Sequence, residues 1–268
     1  MIQSALSSAA MLGATVDQVL EAASRAGVRA VEWSCDGFIE RGDTALAGQI
    51  MVKTLKAGLS VASFATLFRV GLHAENEFGR LLETAQMMHA PLIRLWSAPA
   101  VSGDYASRKA ADQAFIDQAR RLGDQAGTLG VTLCFGVARD TVLNSWARAA
   151  NLFSSIKHPF VKLSWEPAPD IAFDDSMEIF CGLSGQIGML VARSAAADGT
   201  IHSLCEHDDD WSQYLDAFDE QAGSPEMVRY VLLRGIKGGD HANLRADADL
   251  LKYYSTQLRR YRGRRVYG

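Results

Sequence analysis

The 268-residue sequence has no cysteine pair spaced as CxxC and no long apolar run, and each absence removes a class of protein. Its four cysteines, Cys35, Cys134, Cys181 and Cys205, lie far apart. Neither a disulfide framework nor a cysteine zinc site is expected from them, and they read as reduced thiols of a cytoplasmic protein. No stretch approaches the ~18 apolar residues that a membrane span needs. The N-terminus lacks the basic segment followed by an apolar one that marks a signal peptide. Excess positive charge is missing as well. A formal net charge of −4 offers no overall field for phosphates, which argues against a nucleic-acid partner. The one strong basic block, Arg259-Arg260-Tyr261-Arg262-Gly263-Arg264-Arg265, reads as a solvated helix end, where cations suit the helix dipole. A partner-binding tail is the other reading of it. No GxGxxG follows the first apolar segment, and no Walker loop, thiol-activation motif or Ser-His-Asp order is present.

What is there is an alternation. Short apolar segments fall at Ile2–Leu6, Ala30–Trp33, Ser60–Phe64, Leu92–Trp96, Thr132–Phe135, Val161–Trp165, Ile187–Val191 and Val228–Leu233. Amphipathic stretches such as Thr15–Ala26, Thr44–Lys56, Glu75–His89 and Arg108–Leu129 separate them. In the first of these, Val16, Val19, Leu20 and Ala23 share one helical stripe. Gly27, Gly58 and Gly130 sit just before strands, where a helix end often needs a left-handed residue. Strand–helix alternation implies a parallel sheet, because parallel strands need crossover connections. Eight such units in this length close into an α/β fold of the (β/α)₈ TIM barrel type, which typically takes about 250 residues. An open doubly wound sheet is the runner-up. No linker divides the chain, so one barrel domain is expected over residues 1–268, with a basic tail from about 259. The polar stretch Ser194–Asp210 reads as the loop after the seventh strand, on the face where barrels keep their functional loops.

A series of landmarks carries a resemblance. In order they are Val31-Glu32-Trp33 with Gly42-Asp43, Ala57-Gly58-Leu59-Ser60-Val61-Ala62-Ser63-Phe64, Phe68-Arg69-Val70-Gly71 and Ile93-Arg94-Leu95-Trp96. His158-Pro159-Phe160-Val161-Lys162-Leu163-Ser164-Trp165-Glu166-Pro167, Trp211-Ser212-Gln213-Tyr214-Leu215 and Asp247-Ala248-Asp249-Leu250-Leu251-Lys252 follow. So arranged, the sequence resembles the sugar phosphate isomerases/epimerases with the xylose-isomerase-like TIM barrel. The resemblance implies a divalent metal held by a Glu on the fifth strand, an Asp or Gln on the sixth, a His on the seventh and a Glu on the eighth. Such an ion polarises a sugar carbonyl or enediolate.

The sequence departs from that set. Leu133-Cys134-Phe135-Gly136-Val137-Ala138 places glycine at the fifth-strand position, with Ala138 where the family has a nearby histidine. Glu166 keeps a carboxylate on the sixth strand, Gly188 to Arg193 contains no histidine, and Arg234 stands in place of the last glutamate. No metal and no other cofactor is therefore expected. Arg139, Arg193 and Arg234, with Arg69 and Arg94 on earlier strands, suggest an anion or oxyanion pocket, since guanidinium forks match carboxylates and phosphates. A plain Glu166–Arg234 salt bridge filling the vacated position is the competing reading.

The expected catalytic pair is Glu166 as acid/base and Arg234 as oxyanion partner. Trp33, Trp96 and Trp165, with Phe64, stand near strand ends, where rings stack on sugars or fill a core. The adjacent Glu206 and His207 form a candidate acid–base pair or a solvated loop. Lys237 before Gly238-Gly239-Asp240 marks a phosphate seat or an ordinary helix start. His73 is placed near the mouth, and His89, His158 and His241 at helix ends or the surface. The expected ligand is a small carbohydrate or polar anionic metabolite, the expected assembly a homodimer or homotetramer. A non-catalytic barrel that binds a metabolite or supports a partner subunit is the reading from another class.

Overall fold

The computed structural model describes residues 1–221 and 228–266, with side chains through residue 258. Its elements run β1 (Ile2–Ser7), α1 (Val16–Ala26), β2 (Ala30–Ser34), α2 (Thr44–Lys56), β3 (Ser60–Val70), α3 (Glu75–Met87), β4 (Leu92–Ser97) and α4 (Tyr105–Gly127). Then follow β5 (Thr132–Phe135), α5 (Trp146–Ile156), β6 (Val161–Trp165), α6 (Phe173–Gly182) and β7 (Ile187–Ala192). The chain ends with β8 (Ser194–Ala195), β9 (Ile201–His202), α7 (Asp208–Glu220), β10 (Arg229–Leu233) and α8 (His241–Val266). Eight strands close a parallel barrel in the order β1-β10-β7-β6-β5-β4-β3-β2. Closure comes from β1 pairing β10, from Ile2 opposite Arg229 to Leu6 opposite Leu233. The barrel expected from the alternation is the fold observed.

Local chemistry explains the element ends. Thr15 caps α1 by accepting from Gln18 N, while the Gln18 side chain accepts from Thr15 N. Gly27 then ends that helix in the left-handed region at φ 78°, where a Cβ is disfavoured. Asp43, Asp104 and Ser145 cap α2, α4 and α5, each accepting from the backbone N–H three residues on. One departure from the sequence reading matters. Ser194–Asp210 is not plain loop: it folds into the antiparallel β8–β9 hairpin, a 3-10 turn and the start of α7. The basic block from Arg259 falls on the last turns of α8, and its side chains lie outside the described residues.

Barrel strands alternate inward and outward side chains. Ala5, Ala30, Ala62, Cys134, Met189, Val191, Tyr230 and Leu232 come from strands all round the ring yet form one cluster, so they fill the interior. Leu6, Val31, Phe64, Ile93, Leu133, Leu163 and Leu233 belong instead to the cluster shared with the helices. This parity decides what reaches the C-terminal mouth. Two residues beyond an inward position is inward again, which aims Ser7, Glu32, Gly136, Arg193 and Arg234 at the axis. Register shifts between Val31 and Glu32 on β2 and between Ala65 and Arg69 on β3 locally reset the pattern. No helix among the described residues is long and apolar enough to cross a membrane.

Candidate active site

At the C-terminal end of the strands, a cavity of about 520 Å³ is lined by Arg94, Trp96, Gly136, Trp146, Glu166 and Arg234, among others. This is the face on which barrels carry their functional groups. Glu166 follows β6, Arg193 follows β7 and Arg234 follows β10, three consecutive strands of the ring. The carboxylate consequently lies between two cations. Its Oε1 accepts from Arg193 Nη1 at 3.2 Å and its Oε2 from Arg234 Nη1 at 2.8 Å. Side-chain exposures of 26% for Glu166, 32% for Arg193 and 31% for Arg234 make this neither a dry core pair nor a loose surface one. Gly235 permits the arrangement, since a Cβ there would lie 2.9 Å from Arg193 Cγ. Arg193 lines an adjoining cavity of about 240 Å³, which shares Pro167, Ala168, Pro169 and Ile171 with the first.

One layer deeper is an ion pair that the sequence reading did not single out. Glu32, inward on β2, is fully buried and accepts hydrogen bonds from four donor atoms. Ser7 Oγ and Arg94 Nη2 reach Oε1 at 2.6 and 2.9 Å; Ser63 Oγ and Arg94 Nε reach Oε2 at 2.7 and 3.2 Å. The shift on β2 places Glu32 opposite Ser63 rather than Ala62, which supplies one of those hydroxyls. Arg94 is held side-on by the carboxylate while lining the cavity.

The aromatic residues separate by the same parity. Trp96 is inward, two residues beyond Arg94, and lines the cavity with its Nε1 donating to Thr66 O at 3.1 Å. Gly136 opens room for this ring: a Cβ there would lie 2.7 Å from Trp96 Cζ3. The stacking role expected for Trp33 and Trp165 is corrected. Each is one residue out of phase with an inward carboxylate, fully buried, and absent from the cavity wall. Trp33 donates to Thr54 Oγ1 on α2, and Trp165 packs on Trp146, Phe180 and Tyr214. Phe64 is likewise core. Trp146, at the start of α5, takes the second aromatic position at the wall; its ring lies 4.1 Å from that of Trp165.

The other expected residues disperse. Arg69 is outside the cavity lining, 3.6 Å from Asp140, and its N–H donates to His73 Nδ1. Arg139 reaches only the rim, 83% exposed and paired with Asp170 at 2.5 Å. Glu206 does not pair with His207. It accepts from Lys237 Nζ and from Ser203 N, each at 2.8 Å, and these bonds, Lys237 first, hold its carboxyl down at about 2. His207 approaches Asp210 at 3.7 Å and lines the adjoining cavity with His202. Lys237 is thus turned away from the phosphate seat expected for it, and Asp240 caps α8 through Ala242 N. Among the described residues, no group of three His, Cys, Asp or Glu side chains is placed to hold a metal ion.

The closed parallel barrel, its helices outside and its cavity at the strand ends, is that of the xylose isomerase-like TIM barrels. Among solved structures the chain is similar to the probable 3-DHS dehydratase AsbF involved in petrobactin synthesis from Bacillus anthracis, at 13% identity and TM-score 0.69, over 93% of this chain and 98% of that one. It is also similar to the IOLI protein with a binding zinc atom, at 14% identity and TM-score 0.70, over 95% and 97% of the two chains. A third likeness is to the 3-keto-D-glucoside 4-epimerase YcjR from E. coli, at 13% identity and TM-score 0.68, over 96% and 100%. At such identities the likeness is one of fold. No family model matches the sequence, and no curated protein matches it.

Proposed function

We propose that the chain is a sugar isomerase/epimerase-like enzyme that moves a proton next to a carbonyl of a small carbohydrate or related polar metabolite without a metal. The observation that carries this reading is Glu166 at the cavity wall, gripped by Arg193 and Arg234. A divalent ion does not fit there. Both Glu166 oxygens already accept from guanidinium groups, Asp170 is engaged by Arg139, and no histidine lines this cavity. An added cation at Glu166 would face two positive charges at hydrogen-bond distance.

The groups present supply what the metal otherwise gives. The Glu166 carboxylate takes the proton from the carbon beside the carbonyl, and the carbonyl oxygen gains the charge. Arg234 Nη1, released as Glu166 becomes neutral, donates to that oxygen from a fixed position. Returning the proton to the former carbonyl carbon, while the adjacent hydroxyl passes its own proton to the oxyanion, gives isomerisation, and reprotonation of the original carbon by water from the opposite face gives epimerisation. Loss of a hydroxyl from the next carbon gives dehydration. Dehydratase and epimerase are the names carried by two of the structural neighbours. Trp96 offers an apolar face for the ligand's C–H groups. Four cysteines with no disulfide fit a cytoplasmic setting.

The test is solvent exchange. Chelator-treated protein in D₂O should wash out the signal of the proton next to the carbonyl in at least one member of a ketose, aldose and sugar-acid panel. Glu166→Gln should slow it by about a hundredfold or more. Ligand binding without any exchange would leave a non-catalytic binding barrel.

A further inference from the structure

We infer that the substrate carries one permanent negative charge, a carboxylate, and that it shares the Arg193–Arg234 pair with Glu166. This inference rests on the site proposed above and follows from its charge balance. The cations lining the main cavity are Arg94, Arg139 and Arg234, and Arg193 meets them through Glu166. Arg94 is neutralised by Glu32, and Arg139 by Asp170. Arg193 and Arg234 have the single carboxylate of Glu166 between them. Among the described residues neither guanidinium has a second carboxylate partner, Asp210 on the wall of Arg193's cavity lying 3.7 Å from His207, so one positive charge of the pair is left over.

Proton transfer does not remove that excess. When Glu166 takes up the proton its charge passes to the substrate oxygen, so the cluster still holds two cations and one anion. A neutral sugar would leave the positive charge unbalanced in both states while displacing water from two guanidiniums that are about a third exposed. A monocarboxylate balances both. The two guanidiniums then face the substrate carboxylate and Glu166 before transfer, and the carboxylate and the new oxyanion after it.

Geometry offers a place for the group. Arg234 uses only Nη1 on Glu166, and its Nε–Nη2 edge has no bonded partner among the described residues. That edge matches a carboxylate in two-pronged fashion. At the floor, Arg94 spends Nε and Nη2 on Glu32, leaving Nη1 for an uncharged acceptor such as a hydroxyl. The ligand therefore reads as a hydroxylated acid, its charged end at Arg234 and a hydroxyl at Arg94.

Matched acid–polyol pairs test this, namely glycerate with glycerol, xylonate with xylitol and gluconate with sorbitol, by calorimetry at low salt and neutral pH. At least one acid should bind, and at least tenfold tighter than its polyol. Glu166→Gln removes the competing carboxylate and should tighten that acid by tenfold or more, whereas Arg234→Gln should weaken it by as much in a protein of unchanged circular dichroism. Equal binding of acid and polyol overturns the inference, as does a Glu166→Gln variant that binds the acid more weakly. So does a set in which no acid binds either protein more tightly than about 10 mM. Solvent exchange fails independently: acid binding with the expected variant pattern but no exchange overturns the proton-transfer reading and leaves the charge assignment standing.

Discussion

Arg94 lies side-on against Glu32 in the barrel interior, Nε to Oε2 at 3.2 Å and Nη2 to Oε1 at 2.9 Å, the two residues separated across the ring by β3. Ion pairs this deep gain little over an apolar pair of the same shape, but breaking one strands a charge. Glu32→Gln should therefore cost about 3–5 kcal/mol in urea unfolding at unchanged m-value. Replacing both, Glu32→Leu with Arg94→Met, should restore most of that stability while removing the donor at the cavity floor. A double variant as unstable as Glu32→Gln would show that Ser7 and Ser63, rather than the charge pair, set the cost.

The two inward-and-outward tryptophans give a second contrast. Trp165 fills the space between β6 and the helices, so Trp165→Ala should cost about 3–5 kcal/mol. Trp96→Ala opens a side that already faces the cavity, so it should cost clearly less stability while weakening ligand binding. Chemical denaturation and ligand calorimetry on the two variants separate the roles. Equal destabilisation would contradict the assignment by strand parity.

That parity also marks how far the sequence could be read. Strand and helix placement was legible because apolar runs, caps and pre-strand glycines agree, as at Thr15 and Gly27. Glu166 and Arg234 were legible as candidates through the positions they occupy in the resemblance. Trp33 and Trp165 were misplaced because adjacent residues cannot both face the axis, and each neighbours an inward carboxylate. The same counting would have found Glu32, whereas Arg94 and Trp96, already candidates, share the inward phase of β4 and do line the cavity. Ser63 was beyond counting: it reaches Glu32 through a register shift that no local pattern announces. The pairing of Glu206 with Lys237, 31 residues apart, depends on how the β8–β9 hairpin meets the turn after β10.

Glu206 supplies a pH test of that hairpin contact. Its folded-state carboxyl is depressed from 4.5 to about 2, chiefly by the Lys237 hydrogen bond. A depressed acid contributes stability that is present above its unfolded value and is lost as pH falls through the folded one. Melting temperature should accordingly decline between pH 4.5 and about 2, and Glu206→Gln should flatten that decline. The group is exposed, so the effect is small and should shrink further in high salt. An identical acid profile for the variant would show that the contact does not persist in solution.

Whether the Glu166 wall takes a metal is asked most directly by thermal unfolding of chelator-treated protein during titration with Mn²⁺, Mg²⁺ and Zn²⁺. With Arg193 and Arg234 on the carboxylate, the expected result is no saturable rise in melting temperature for any of the three, in wild type and Glu166→Gln alike. A saturable, stoichiometric rise that Glu166→Gln abolishes would contradict it.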